Sequence, residues 1–194
     1  MRPTLVVMLK EPRPGRVKTR LGRDIGMVGA AWWFRHQTAR LLRRLRDPRW
    51  DLVLAVAPDA EGRASRVWPR DLPRWPQGQG DLGQRMARVF RDLSTGPICI
   101  VGSDIPDIKP HHINAAFKAL GASDAVIGPA PDGGYWLIGF AVGRPLRAAV
   151  FDAVRWSSEH ALADTVQALS GRRVAFIDPL HDVDTVDDLQ PRAC

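Results

Sequence analysis

The sequence predicts an α/β fold, a three-layer sandwich in which helices cover both faces of a mostly parallel sheet. Short apolar runs of strand length alternate with segments whose apolar residues recur at helical spacing. The connections between these segments are short, and the sequence contains no internal repeat or interdomain linker. Such alternation favours a parallel sheet between two helical layers. We therefore expect residues 1–194 to form one domain.

The predicted elements follow from local patterns in chain order. Apolar runs predict strands at residues 4–9, 51–57, 97–102, 124–128, 135–140 and 173–177. Apolar residues at three- and four-residue spacing predict helices at 27–45, 82–93, 110–120 and 158–169. Asp81 and Gln84 are placed to form a capping box at the start of the second of these helices. Residues 59–80 are rich in Arg, Pro, Gly and Trp, and we expect irregular structure there around at most a short helix.

The composition is that of an ordinary globular chain. Hydrophobic residues make up 45% of it, and no apolar run approaches the roughly 20 residues that span a bilayer. The amino-terminal residues lack a charged segment followed by an apolar secretory core. With only Cys99 and Cys194, a disulfide framework is not expected. We therefore expect a cytoplasmic protein without a membrane segment.

The positive charge is concentrated in one part of the chain. Of the net charge of +7, residues 10–46 contribute +9 and the remaining residues −2. A cluster of this kind suits either nucleic acid or the phosphates of a nucleotide. No RNA-binding motif with interleaved aromatic residues and no zinc finger accompanies it. We interpret the arginines of the helix at 27–45 as a solvated face, so nucleic acid is not the expected partner.

A loop rich in Gly, Pro and basic residues follows the first strand. It lacks the glycine patterns of NTPase phosphate loops and of dinucleotide-binding folds. Gly15 permits close approach of the backbone, and the loop cations can neutralise phosphate oxygens. These cations are Lys10, Arg16, Lys18 and Arg20. Because phosphates bind where the strands of an α/β sheet end, we favour a phosphate-binding loop over a basic surface loop.

A carboxylate follows the third predicted strand, in Gly102-Ser103-Asp104-Ile105-Pro106. At this position Asp104 projects into the crevice at the carboxyl edge of the sheet. There it can hold Mg²⁺ through oxygen and so offset the charge of a leaving phosphate. The alternative is that Asp104 caps the turn before Pro106. We favour the metal site, because Asp104 and the basic loop are expected at the same edge of the sheet.

Two other acidic positions are candidates. Asp132 precedes two glycines, and it either binds the acceptor, acts as a base or assists the metal, or simply forms the turn of a hairpin. Asp182 and Asp184 lie in an acidic tail after the last strand. Asp184 either caps the last helical turn or supplies a second metal ligand.

A glycine-containing loop that enters a helix supplies the remaining candidates, Gln77, Gly80 and Arg85. The start of a helix favours anions, and Arg85 lies within its first turn. An ordinary capped helix with a solvated Arg85 is the competing explanation.

Five motifs occur in order across nearly the whole chain. They are K-x-P-x-P-G-x-V-K-T-R-L at 10–21, Q-G-x-G-D-L-G-x-R-M at 77–86, G-S-D-I-P at 102–106, P-D-G-G-Y-W-L-I-G at 131–139 and D-V-D-T-x-x-D-L at 182–189. Together they resemble a bacterial family of GT-A-fold transferases that is called glycosyltransferase-like and linked to arsenosugar-type pathways. That family is distantly similar to 2-phospholactate guanylyltransferase and to molybdenum-cofactor guanylyltransferases.

The resemblance implies the fold of nucleotide-diphospho-sugar transferases. It also implies that Asp104 binds Mg²⁺ or Mn²⁺, that the first-loop cations meet the phosphates, and that residues 77–85 border the nucleotide. In glycosyltransferases of this fold a D-x-D motif usually holds the metal, whereas here Asp104 stands alone at the strand end and Asp107 follows later.

The expected function is a metal-dependent transfer of a glycosyl group from a nucleotide sugar to a small acceptor. The first alternative is a nucleotidyltransferase that passes a nucleotidyl group from an NTP to a phosphorylated small acceptor. The second, of another class, is a non-catalytic protein that binds a nucleotide or nucleic acid. The sequence predicts no particular oligomeric state.

Overall fold

The apolar runs form seven strands that pair into one sheet. The computed structural model describes residues 2–93, 95–143 and 149–189. The strands are β1 (Thr4–Lys10), β2 (Asp51–Ala57), β3 (Arg74–Pro76), β4 (Ile98–Val101), β5 (Ala125–Pro129), β6 (Tyr135–Phe140) and β7 (Val174–Phe176). The helices are α1 (Thr19–Ile25), α2 (Met27–Arg44), α3 (Asp59–Ala64), α4 (Leu82–Asp92), α5 (Pro110–Ala119) and α6 (Ala161–Ala168), with a 3₁₀ turn at Asp187–Leu189.

The strand order across the sheet is β3-β2-β1-β4-β6-β5-β7. β6 is antiparallel to its neighbours β4 and β5, and the other pairs are parallel. The sheet is therefore mostly parallel, as predicted. Because β5 and β6 form a hairpin, the turn between them lies at the edge of the sheet where the parallel strands end.

Each face of the sheet buries its own apolar cluster. In β1, Leu5 and Val7 belong to one cluster and Val6 to the other, as the two-residue period of a strand requires. Side chains of α2 and α5 cover the first face, and those of α4 and α6 cover the second. These two helical layers and the sheet confirm the three-layer α/β prediction.

The structure contains two short elements that local patterns did not predict. The first is α1, in which only Leu21 and Gly22 are buried, too few residues to show a helical period. It ends at Gly26, whose φ of 82° breaks the chain before α2. The second is β3, which pairs with β2 although its three residues are only half-buried. Contacts with the rest of the fold, rather than local pattern, set these elements.

Other expectations concern the membrane and the cysteines. Within the described residues, no helix combines the length and the apolar character needed to cross a bilayer. Cys99 is buried in β4 as a free thiol. Cys194 lies outside the described residues.

Candidate functional site

A cavity of about 830 Å³ opens where β1 and β4 end. Parallel strands finish here, at the edge where α/β proteins commonly bind ligands. The cavity brings together most of the residues that the sequence singled out. Those that line it are Lys10, Arg16, Lys18, Arg20, Gln77, Asp104, Asp132, Asp182 and Asp184. The expected meeting of the basic loop with Asp104 is therefore present in the structure.

Lys18 lines this cavity and forms ion pairs with two of its carboxylates. Its Nζ lies 2.5 Å from Oδ2 of Asp104 and 2.7 Å from Oδ1 of Asp184, and its side chain is only 8% exposed. Burial alone would lower the pKa of Lys18, but the carboxylates of Asp104 and Asp184 outweigh burial and raise it. The backbone of Lys18 is left-handed, with φ 46°, a conformation that costs free energy in a residue with a side chain. In this conformation the Lys18 ammonium lies between two carboxylates.

Three carboxylates surround that ammonium. Asp104, Asp182 and Asp184 each offer one oxygen, and these oxygens lie within 4.8 Å of one another. Arg20 adds a second cation, with its Nη1 3.1 Å from Oδ2 of Asp184. Carboxylate oxygens grouped in this way suit a hard divalent cation such as Mg²⁺ or Mn²⁺. The donor set therefore fits the predicted metal, with Lys18 placed between the carboxylates that would bind it.

Asp184 lies before the last helical turn, and its carboxylate faces Lys18 and Arg20. The carboxylate of Asp188, within that turn, accepts from the backbone N–H groups of Asp184 and Thr185 and from the Thr185 hydroxyl. The capping alternative for Asp184 stays a prediction. The predicted role of Asp184 as a metal ligand is compatible with this position.

The pKa of Asp182 is raised by its surroundings. Burial, and then the negative charges of Asp104 and Asp184, raise its pKa from 3.8 to about 6. The folded protein therefore binds this proton more tightly than the unfolded chain does. The resulting loss of stability develops as pH rises from about 4 to about 6 and persists at higher pH.

Replacing Asp182 with Asn is expected to raise the melting temperature at about pH 7.5 without metal, because the buried charge is gone. At about pH 4 the two proteins should melt at similar temperatures, since the wild-type carboxyl is then protonated. Thermal unfolding at both pH values measures this. An equal change at both would contradict the raised pKa of Asp182.

The side chain of Gln77 contributes to the site by hydrogen bonding to the backbone of two strands. Its amide is buried and donates to the carbonyl of Leu9 at 3.0 Å and to that of Ala55 at 2.7 Å. These bonds hold the loop after β3 against the ends of β1 and β2. Arg85 does not line the large cavity, and its Nε donates to the carbonyl of Gly80 at 2.9 Å. The nucleotide-binding roles of these residues stay predictions.

A second cavity, of about 280 Å³, lies beside the first. Lys10 and Arg16 line both cavities, so the two share a cationic border. Arg85 lines the smaller one together with Arg13, Asp59 and Glu61, among others. An ion pair of 3.0 Å joins Arg13 to Glu61 across it. Gly15 and Gly80 line neither cavity, although both have the positive φ that the turns require.

Asp132 forms the turn of the β5–β6 hairpin and also lines the large cavity. Its Oδ1 accepts from the backbone N–H of Gly134 at 2.9 Å, which confirms the turn interpretation for that oxygen. The functional hypothesis for the carboxylate stays a prediction, and its place in the cavity wall is compatible with it.

With this geometry established, comparison with known proteins gives the family. A model of the family described as "Uncharacterized protein conserved in bacteria (DUF2064)" matches residues 40–158, more than half of the chain. The chain belongs to the DUF2064 family. Among curated proteins, no sequence match is found. The resemblance to an arsenosugar-type or guanylyltransferase-like group is finer than this family and stays a prediction.

Solved structures share the fold of this DUF2064 member. A candidate nucleotide-diphospho-sugar transferase from Desulfovibrio desulfuricans G20 is 34% identical, with a TM-score of 0.87 over 97% of this chain and 85% of that one. The 2-C-methyl-D-erythritol 4-phosphate cytidylyltransferase from Thermus thermophilus is 17% identical, with a TM-score of 0.58 over 97% and 96%. Rv0371C from Mycobacterium tuberculosis H37Rv, solved in complex with manganese, is 20% identical, with a TM-score of 0.52 over 97% and 96%.

Sequence reasoning missed one wall of the large cavity in this DUF2064 member. Residues 156–159 line it, next to the turn that holds Asp132. Gly133 joins the two segments, because its carbonyl accepts from Leu162 and a Cβ there would lie 2.1 Å from the carbonyl oxygen of Glu159. A short polar run with no regular spacing carries no local signal for such a contact. The two glycines after Asp132 favoured close approach of a ligand to the backbone, and in the structure the main chain of Glu159 occupies the space beside Gly133.

Replacing Gly133 with Ala is expected to destabilise the protein more than Gly171→Ala. Both glycines have positive φ, 84° and 80°, which costs a side chain ~1–2 kcal/mol. Only the Cβ at 133 would also overlap neighbouring backbone, which adds about 1 kcal/mol or more. Denaturant unfolding of both variants measures the difference. Equal losses of stability would show that the 130–134 turn and residues 156–159 are not tightly packed.

Proposed function

We propose that this protein is a metal-dependent transferase that moves a glycosyl group from a nucleotide sugar to a small acceptor. The observation that carries the proposal is the convergence, in one cavity, of cations from the start of α1 and carboxylates from two distant segments. Lys18 and Arg20 meet Asp104 and Asp184 there at 2.5–3.1 Å. Opposite charges so arranged can bind a phosphate and its counter-ion side by side.

The position of the donor follows from the shared border of the two cavities. Lys10 and Arg16 line both, so a nucleotide that extends across this border would place its phosphates beside them. The smaller cavity is then available to the nucleoside, next to Arg85 and the loop that Gln77 anchors. The similarity to a candidate nucleotide-diphospho-sugar transferase supports a nucleotide sugar as the donor.

Asp104, Asp182 and Asp184 would hold Mg²⁺ or Mn²⁺. When bound, the ion supplies positive charge to phosphate oxygens as the leaving group departs. Lys18 is placed to exchange its carboxylate partners for a phosphate oxygen, and Arg20 to do the same from a more exposed position. Such charged hydrogen bonds stabilise the departing nucleoside diphosphate.

Glycosyl transfer at this site needs one general base, which removes the proton of the acceptor hydroxyl. The anomeric carbon–oxygen bond to the diphosphate breaks, and the nucleoside diphosphate leaves with the electron pair. A hydroxyl oxygen of the acceptor forms the new bond to that carbon. Its proton passes to the carboxylate of Asp132, which lines the cavity and positions the acceptor.

Nucleotidyl transfer is the second candidate. The number of cations in the first loop favours a triphosphate, and the T. thermophilus protein of the same fold is a cytidylyltransferase. In this reaction an acceptor phosphate oxygen attacks the α-phosphorus of an NTP and pyrophosphate leaves.

A non-catalytic nucleotide-binding protein is the alternative of another class. Its affinity for nucleotide would be the same after Asp104→Asn or after chelation of the metal, and it would show no turnover.

A thermal-shift panel tests the proposal. NTPs, nucleoside diphosphates and nucleotide sugars are compared with and without Mg²⁺ or Mn²⁺. Binding to the folded state raises the melting temperature in proportion to the logarithm of ligand concentration over Kd. We expect one nucleotide sugar to stabilise the protein more than its parent NTP, and only with metal. Stronger stabilisation by the NTP would favour nucleotidyl transfer, and no nucleotide effect would contradict both reactions.

A further inference from the structure

The large cavity has a second, acidic half, and we propose that this half binds an uncharged or amine-bearing hydroxyl compound rather than a phosphomonoester. We define the acceptor wall as Asp132, Trp156, Ser157, Ser158 and Glu159, all of which line the cavity. The inference rests on the proposed function, because it names the class of acceptor for that transfer. It favours glycosyl over nucleotidyl transfer to a phosphorylated compound.

The positive and negative residues that line the cavity come from different parts of the sequence. Every Lys and Arg among its described lining residues lies between positions 10 and 20. From Gly102 onward the described lining contains five carboxylates and no Lys or Arg. Because Asp104, Asp182 and Asp184 are assigned to the metal, Asp132 and Glu159 give the acceptor wall its own negative charge. A phosphomonoester dianion against this wall would meet like charge.

The basic side chains next to the wall do not reverse this charge. Arg155 forms a two-pronged pair with Asp164, at 2.9 Å and 2.8 Å, and neither residue lines the cavity. His160 does not line it either, and its Nε2 lies 3.8 Å from a Glu159 oxygen. Neither of these two basic side chains therefore faces the cavity beside the acceptor wall.

The wall is also shaped before any ligand arrives. Gly133 packs directly against the main chain of Glu159, which fixes residues 156–159 on the turn of Asp132. Ser157 has a φ of 58°, a conformation that persists in a serine only where its surroundings hold it. Trp156 meets Tyr135 edge to face at 6.3 Å, and both line the cavity. Aromatic surface beside carboxylates and hydroxyls suits a ligand with C–H faces and hydroxyl or ammonium donors.

Charged thiol reagents measure the electrostatic character of the wall without knowledge of the acceptor. Ser157→Cys places a thiol on the acceptor wall, and Thr19→Cys places one on the cationic half of the same cavity. Both are made with Cys194→Ser, and the remaining Cys99 is buried. The rates of a cationic and an anionic methanethiosulfonate are compared at each position, without metal or nucleotide. We expect the cationic-to-anionic rate ratio to be about tenfold or more higher at 157 than at 19.

Neutral variants and salt serve as controls. In the Ser157→Cys protein, Asp132→Asn and Glu159→Gln together should reduce the difference between positions, as should about 1 M salt. Inorganic phosphate should protect the thiol at 19 from the anionic reagent but not the thiol at 157. Ser158→Cys provides a second probe of the wall if Ser157→Cys does not fold.

The results decide the proposal in either direction. Equal rate ratios at 157 and 19, or phosphate protection of the thiol at 157, would overturn it. These outcomes concern the wall alone. The proposed transfer would fail separately, through absence of metal-dependent nucleotide binding in the thermal-shift panel.

Discussion

Asp104→Asn is expected to remove most of the metal-dependent part of nucleotide binding and to leave the fold intact. Asp104 faces Lys18 at 2.5 Å and shares the carboxylate cluster with Asp182 and Asp184. Asparagine retains the shape of the side chain but not the charged oxygen that a divalent cation requires. We expect Mn²⁺ affinity to fall by about 100-fold or more, beyond the loss typical of an outer-shell partner of a metal ligand. Calorimetric titration with Mn²⁺, alone and with a nucleotide diphosphate, measures this.

Asp107→Asn is the matched control for that experiment. Asp107 is exposed, lies three residues further along, and lines neither cavity. Its replacement should leave Mn²⁺ and nucleotide affinity unchanged. If the Asp104 variant bound nucleotide as tightly as the wild type in the presence of metal, the assignment of Asp104 would be wrong and the non-catalytic alternative would stand.

Lys18→Met is expected to change metal binding and nucleotide binding in opposite directions. The ammonium competes with a metal for Asp104 and Asp184, so its removal should strengthen binding of Mn²⁺ alone. The same variant lacks a cation for the phosphates and should lose ~1.5–3 kcal/mol of nucleotide binding free energy. Arg20→Ala should lose less, because the Arg20 side chain is 68% exposed and its charge is better screened.

Two measurements separate these effects. Free Mn²⁺ followed by electron paramagnetic resonance gives metal affinity without nucleotide, and calorimetry gives nucleotide affinity at saturating metal. Arg23→Met is the control, because Arg23 is a basic residue of α1 that lines neither cavity. A Lys18→Met protein with weaker Mn²⁺ binding and unchanged nucleotide binding would contradict both assigned contacts.

Local sequence patterns were sufficient to predict most of the helices and strands. β1, β2 and β4 are continuous apolar runs, which a strand buried on both faces requires. The start of α4 was predictable because its capping box is complete within four residues, and both of its hydrogen bonds are present, at 2.8 Å and 3.2 Å. The order of the strands was not predictable in this way. Placing β6 between β4 and β5 depends on pairing between distant segments.

The sequence predicted which charged residues belong to the site, but it did not predict which of them pair with one another. The position of Asp104 after a buried strand indicated the edge of the sheet at which it lies. The partners of Lys18 are 86 and 166 residues away, so no spacing along the chain could indicate them. A lysine in a basic loop predicts an anion, and both phosphate and carboxylate satisfy that prediction. Within the acceptor wall, Asp132 was predicted, whereas residues 156–159 had no signal of their own.

The last segment of the structure returns over the ends of the strands after β7. Leu180 donates to the carbonyl of Pro129, and Val183 donates to that of Asp104. A chain shortened after Phe176 would retain the sequence of every strand in the sheet and lose Asp182 and Asp184. During synthesis, the seven strands of the described sheet therefore leave the ribosome before the two carboxylates that are proposed to complete the metal site.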